Sequence, residues 1–111
     1  MRSHKALSLT IRDDDTLHSA YLAWLARGGL FVPTEQRYSL GQRVYLLVTL
    51  PGAQERLPVE GEVVWLTPAG TADRLAGIGV HFGADGQDLR ERIEARLKAH
   101  PSPPALTRHT L

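Results

Sequence analysis

The sequence contains no cysteine, so it has neither a disulfide framework nor a thiolate metal site. It also lacks an apolar run long enough to span a bilayer, and residues 1–11 do not have the pattern of a signal peptide. Thirteen Lys and Arg residues against twelve Asp and Glu residues leave a net charge of +1, without the basic excess typical of nucleic-acid binding. We therefore expect a cytoplasmic protein that binds no nucleic acid and does not insert into membranes.

Catalytic chemistry is also missing from the sequence. The five histidines show no metal-ligand spacing, and no serine has visible base and orienting partners. Gly77 and Gly79 resemble part of a dinucleotide fingerprint, but they lie within a predicted strand and open no helix. The aspartates at 13–15 predict a solvated turn, because a calcium loop needs more widely spaced ligands. We expect no enzyme activity, no cofactor and no metal ion.

The stretch of residues 57–66 is the centre of the predicted fold. Alternate positions share one face of an extended strand: Val59, Gly61, Val63 and Trp65. A strand at 76–82 follows after a loop too short for a crossover helix, so the two strands should be antiparallel neighbours. Gly77 and Gly79 open space on one face, which suits either a strand bent sharply in a small barrel or a strand approached closely by another backbone. We expect Trp65 in the core, because it ends a core strand.

The other segments complete a single domain of 111 residues, which is long enough to bury one core. Strands are predicted at 7–11 and 44–50, and residues 27–33 predict a turn at Gly28-Gly29 followed by a short strand that Pro33 ends or confines to an edge. Residues 16–25 fit helical spacing but are rich in aromatics, so helix and strand both remain open. This spacing suggests an up-and-down antiparallel sheet closed into a barrel. A helix capped by Asp85 should cover an open end or face of it with an apolar stripe: Leu89, Ile93 and Leu97.

Prolines at 101, 103 and 104 stop that helix, so residues 100–111 are predicted to form a flexible Pro-rich tail after a domain at 1–99.

Four motifs carry a resemblance to a known family. They are Gly28-Gly-Leu-Phe-Val, the turn Leu40-Gly, Val59-x-Gly-x-Val-Val-Trp65 and Gly77-Ile-Gly-Val-x-Phe82. In these motifs the chain resembles PilZ domains, most of which bind cyclic di-GMP. The resemblance implies a mainly β fold: a small six-stranded antiparallel PilZ-type β-barrel with a C-terminal helix and an extended tail.

The residues that bind the nucleotide in this family are absent from the chain. Ligand-binding PilZ domains carry an Arg-x-x-x-Arg pair, whose guanidinium groups grip phosphate and guanine, and an Asp/Asn-x-Ser-x-x-Gly motif. Here Gly29 matches the final glycine, but Trp24 occupies the acidic position and Ala26 the serine position. No arginine pair precedes them. We expect the fold without the nucleotide site, with Arg27 able to supply one phosphate contact in the alternative reading.

A resemblance over nearly the whole chain is to the divergent branch of this family that serves type IV pilus assembly. It rests on Leu7-Ser-Leu-Thr-Ile-x-Asp13, Ala20-Tyr21, Gly28-Gly-Leu-Phe-Val-Pro-Thr34, Val63-Val-Trp-Leu-Thr-Pro68 and Thr107-Arg-His-Thr-Leu111. It implies a non-enzymatic, monomeric adaptor for pilus assembly and twitching motility. The implied partners are the pilus extension ATPase PilB and the EAL-domain region of FimX, with no direct cyclic di-GMP binding. A direct cyclic di-GMP receptor is the alternative.

Two segments are the candidate partner-binding sites. In the first, Tyr21 and Trp24 are candidates for exposed aromatic anchors. Leu22 is a further candidate there, although a core position is favoured for it and for Leu25, and Arg27 follows them. In the second, Leu106 and Leu111 offer apolar anchors around four polar residues: Thr107, Arg108, His109 and Thr110. A recognition segment and a frayed terminus both remain open for this tail.

Overall fold

Five strands and two helices form the part of the chain that the structure describes, which is a computed structural model of residues 5–67 and 76–100. The strands are β1 (Lys5–Thr10), β2 (Gly29–Pro33), β3 (Arg43–Thr49), β4 (Leu57–Thr67) and β5 (Gly77–Phe82). The helices are α1 (Asp14–Ala20) and α2 (Gln87–Ala99), and a 3-10 turn at Ala84–Gly86 leads into α2. The predicted strands at 57–66 and 76–82 are confirmed as antiparallel neighbours.

The five strands form one mixed sheet in the order β1-β3-β4-β5-β2. The expectation of a fully antiparallel sheet is wrong, because β1 runs parallel to β3. After β1 the chain crosses to the opposite edge through α1 and β2 before β3 returns beside β1. No hairpin joins β1 to β3, so nothing constrains this pair to run antiparallel.

The sheet curls into a half-barrel whose edge strands, β1 and β2, are not paired with each other. Residues 5–67 and 76–100 contain five strands rather than the expected six, because residues 16–25 contribute no strand. They begin in α1, which Asp13 caps by accepting a 2.8 Å hydrogen bond from the Thr16 amide. That hydrogen bond holds the pKa of Asp13 below its usual value. The aspartates are therefore a helix start and not a solvated turn.

Alternation along the strands places one face of the sheet in the core, with Val44, Leu46 and Val48 of β3 buried. The same period buries Val59 and Val63 of β4, as predicted. The expectation for Trp65 is wrong, since its side chain is 45% exposed. A β-bulge between Val63 and Trp65 shifts the alternation by one residue and turns the indole to the outer face.

Helix α2 covers the core with the predicted stripe, of which Leu89 and Ile93 are buried and Leu97 is partly buried. The prediction that Asp85 caps this helix is wrong. Asp85 lies inside the 3-10 turn, and Gly86 occupies the cap position without a side-chain hydrogen bond. A Cβ atom at Gly86 would lie 2.8 Å from Cβ of Phe82, so the turn packs too tightly for a larger residue.

Neither helix of the described segments is long and apolar enough to cross a membrane. Of the predicted tail at 100–111, only His100 is among the described residues, so the domain boundary at residues 99 and 100 stays a prediction.

Candidate functional site

The segment of residues 21–28 connects α1 to β2 and contains four of the predicted partner-binding residues: Tyr21, Leu22, Trp24 and Arg27. Its two ends are close together, because the Leu22 amide donates a 2.9 Å hydrogen bond to the carbonyl of Gly29. Gly28 closes the loop at a φ of 78°, a left-handed conformation that glycine adopts without a steric penalty. The loop is therefore compact and lies at the edge of the sheet that β2 forms.

Tyr21 fastens this loop to α2. Its hydroxyl donates a 2.6 Å hydrogen bond to Oε2 of Glu94. Burial of the phenol and the neighbouring carboxylate raise the pKa of Tyr21 to about 12. The same hydrogen bond holds the pKa of Glu94 below its usual value, and Arg90 donates to the same oxygen over 3.3 Å. Tyr21 is partly buried and engaged in packing, so the structure does not present it as a fully exposed anchor.

The outer face of the sheet beside this loop is apolar. Gly79 pairs with Phe31 on one side and with Trp65 on the other. A Cβ atom at Gly79 would lie 2.8 Å from Cβ of Trp65 and 3.3 Å from Cδ1 of Leu22. The missing side chain thus lets the side chains of Trp65 and Leu22 pack directly over the strand, whereas the spacing of the two glycines predicts a bend or the approach of another backbone.

Trp24 is a further apolar residue of this loop, and it is exposed to solvent. It lies two residues after Leu22 in the same loop, and 67% of its side chain is exposed, the largest exposed fraction among the large apolar residues described. We refer to Leu22, Trp24, Phe31 and Trp65 together as the apolar face. Exposed aromatic residues of this kind are typical of protein interfaces and rare on inert surfaces.

Arg27 lies at a small polar cavity on the far side of the same loop. Its backbone amide donates a 3.1 Å hydrogen bond to Nε2 of His81. The cavity has a volume of about 70 Å³ and is lined by Arg27, Gly83, Gln87 and Arg90. Pockets that enclose small ligands usually have roughly 300–1,000 Å³, so this one is too small for a dinucleotide. The Arg90 guanidinium is also engaged, with the Glu94 carboxylate and the carbonyl of Ala26.

A second apolar feature lies between the free edges of β1 and β2, beneath α1. This groove has a volume of about 220 Å³, and we call it the seam groove. Its lining residues come from both edges and from the helix: Leu9, Thr10, Ile11, Thr16, Ser19, Ala20, Phe31 and Pro33. Phe31 belongs to both the seam groove and the apolar face, so the two surfaces are continuous.

Of the sequence-predicted residues, the structure places Leu22 over Gly79 together with Trp65, and leaves Trp24 of the same loop exposed. Phe31 and Trp65 flank that strand position, and sequence reasoning did not assign them to a site. The signal for both was the Gly77/Gly79 spacing, which marks the strand that they flank. The predicted residues Leu106, Thr107, Arg108, His109, Thr110 and Leu111 lie outside the described residues. Within residues 5–67 and 76–100, no group of three or more His, Asp or Glu side chains could hold a metal ion.

Comparison with known proteins identifies one match to a family. The family model for the PilZ domain matches residues 1–99. No curated protein matches the sequence.

Proposed function

The chain belongs to the PilZ domain family, and we propose that it is a non-enzymatic adaptor that serves type IV pilus assembly and twitching motility in the cytoplasm. Membership of the family suggests an adaptor-type role in cyclic di-GMP signalling. The partners that we propose are a PilB-type extension ATPase and the EAL-domain region of a FimX-type protein. The nucleotide signal then reaches this chain through the EAL-domain partner, and the chain itself acts as a monomer.

The observation that carries this proposal is the replacement of polar ligand-binding positions by exposed apolar side chains. Trp24 stands where ligand-binding relatives have an acidic residue, and it is largely exposed rather than buried in the core. Leu22, in the same loop as Trp24, and Trp65 both lie over Gly79. Large exposed aromatic residues are favoured as interface anchors, since they bury much apolar area while losing little side-chain freedom.

The charges near the loop support the view that the chain does not bind cyclic di-GMP. The two phosphates of this ligand need convergent guanidinium groups, and the second arginine of a suitable pair is missing upstream of Arg27. Arg90 is the nearest candidate to replace it, but its guanidinium is bonded to Glu94 and Ala26. A nucleotide in this position would have to break those hydrogen bonds and would still lack a pocket of sufficient volume.

The proposal is tested by titrating the purified full chain with cyclic di-GMP and, separately, with each proposed partner. Calorimetry with cyclic di-GMP should give no saturable heat at micromolar protein. The ATPase and the EAL-domain region should each bind saturably. Saturable binding of the free nucleotide would establish the direct-receptor alternative, and failure to bind either protein would exclude the adaptor role in pilus assembly.

A further inference from the structure

The described chain ends against the helix that forms one wall of the seam groove. The carbonyl oxygen of His100 lies 2.6 Å from Nε2 of His18 in α1. The His100 ring approaches Oδ2 of Asp14 to 3.7 Å, and Arg96 holds the other oxygen of Asp14 at 2.7 Å. His100, the last described residue, is therefore held on one flank of α1.

The seam groove lies on the opposite flank of that helix. At 100° per residue, Thr16 and Ala20 point roughly away from Asp14 and His18, and both line the groove. The proline-rich residues 101–105 favour an extended chain of about 3.1 Å per residue, or about 15 Å in total. A helix with its side chains is about 10–12 Å across. The rim residue Ser19 lies 100° around α1 from His18, an arc of about 10 Å at that radius, so residues 101–105 are long enough for Leu106 to reach the rim of the groove.

Charge along this path is complementary to the tail. Asp15 is exposed on the surface of α1, and Asp13 uses its carboxylate only to cap the helix. Neither forms an ion pair within the described segments. Arg108 follows Leu106 by two residues, so a tail seated in the groove would place a guanidinium near the carboxylates of Asp13 and Asp15.

We propose that residues 106–111 dock in the seam groove of their own chain, with Leu106 against Ile11, Ala20 and Phe31. Strands β1 and β2 do not pair with each other, which leaves this apolar groove open, and a docked leucine side chain would be removed from water. Because Phe31 also belongs to the apolar face, the docked tail lies at the margin of the proposed partner-binding surface. A partner that captures the tail must first release it from the groove.

Disulfide trapping in the full chain tests this docking, and the absence of native cysteine makes each introduced pair unique. One variant carries Ser19→Cys and Thr107→Cys, which places one thiol on the exposed rim of the groove. The control carries Ala53→Cys and Thr107→Cys, because Ala53 is also exposed and lines a cavity together with His100. An untethered tail reaches both positions, whereas a docked tail should form the Ser19 disulfide about tenfold faster at low micromolar protein.

A third variant adds Leu106→Ser to the Ser19 pair. If the tail docks through Leu106, the disulfide of this third variant should form as slowly as the disulfide of the Ala53 control. Circular dichroism should show that the fold is unchanged. Equal rates for the two cysteine pairs, disulfides only between molecules, or an undiminished rate after Leu106→Ser would each overturn the docking. No partner is present in this experiment, so its failure would leave the proposed adaptor function standing.

Discussion

The Tyr21 hydroxyl joins the loop of residues 21–28 to α2 by a charge-assisted hydrogen bond of 2.6 Å, which is shorter than the 3.4 Å contact between Arg90 and the carbonyl of Ala26. From the sequence, Tyr21 is expected to be an exposed anchor. Nothing near it in the sequence indicates a hydrogen-bond partner on α2, more than seventy residues away. Its acceptor, Glu94, lies in a segment whose pattern predicts a salt bridge to Lys98. The observed partners of that carboxylate are Tyr21 and Arg90. Long-range side-chain pairing of this kind cannot be deduced from periodicity.

Replacing Tyr21 by phenylalanine should lower the free energy of unfolding by about 1 kcal/mol, since it removes a hydrogen bond to a charged acceptor at a partly exposed site. Urea denaturation measures this change. Tyr45→Phe is the matched control, because Tyr45 is 40% exposed on the outer face of β3. Equal stabilities of the Tyr21→Phe variant and the native chain would show that the hydrogen bond contributes nothing.

The stability of the chain should also depend on the ionisation of Tyr21. Its pKa is raised in the folded chain from 10.0 to about 12, so the folded state binds the phenolic proton more tightly than the unfolded state does. The stabilisation that this raised pKa represents is complete below pH 10 and is lost as the pH rises through 12. The stability difference between native chain and Tyr21→Phe should therefore shrink across that interval. A difference that stays constant would contradict the raised pKa.

Among the elements, the strands at 57–66 and 76–82 could be predicted because apolar and small residues alternate with a period of two. The helix α1 could not, since residues 16–25 fit two periods at once, and the capping bond of Asp13 decides between them. The exposure of Trp65 was missed because a bulge leaves no mark in the alternation. The parallel pairing of β1 with β3 depends on the path of the whole chain rather than on either strand.

The prediction for a single element concerns strand β5. Gly79→Ala places a methyl group 2.8 Å from Cβ of Trp65, a distance at which one of the two must move. We expect a loss of about 1–3 kcal/mol in the free energy of unfolding, because an atom has been added to a packed site. Thermal or urea denaturation measures it. Gly83→Ala, whose added atom would lie no closer than 3.1 Å to any neighbour, should cost less. A Gly79→Ala variant as stable as the native chain would show that β5 tolerates a side chain beneath Trp65.

At the scale of the whole molecule, the fold of the family persists while its nucleotide motifs are replaced. The buried positions that build the sheet are independent of Trp24 and Ala26, so the fold places no constraint on those residues. The site could be predicted in part, because the missing motifs are visible in the sequence. The apolar face as an assembly could not, because Phe31 and Trp65 meet Leu22 only when three strands and a loop come together.

The affinity of the PilB-type ATPase for the native chain and for the Trp24→Ala variant tests the central claim most directly. Truncating an interface aromatic should weaken binding by at least about tenfold, while the melting temperature stays nearly unchanged because Trp24 is largely exposed. Tyr45→Ala, at an exposed aromatic residue of β3, serves as the control and should bind like the native chain. Native affinity of Trp24→Ala, or an equal loss in both variants, would contradict recognition through the apolar face.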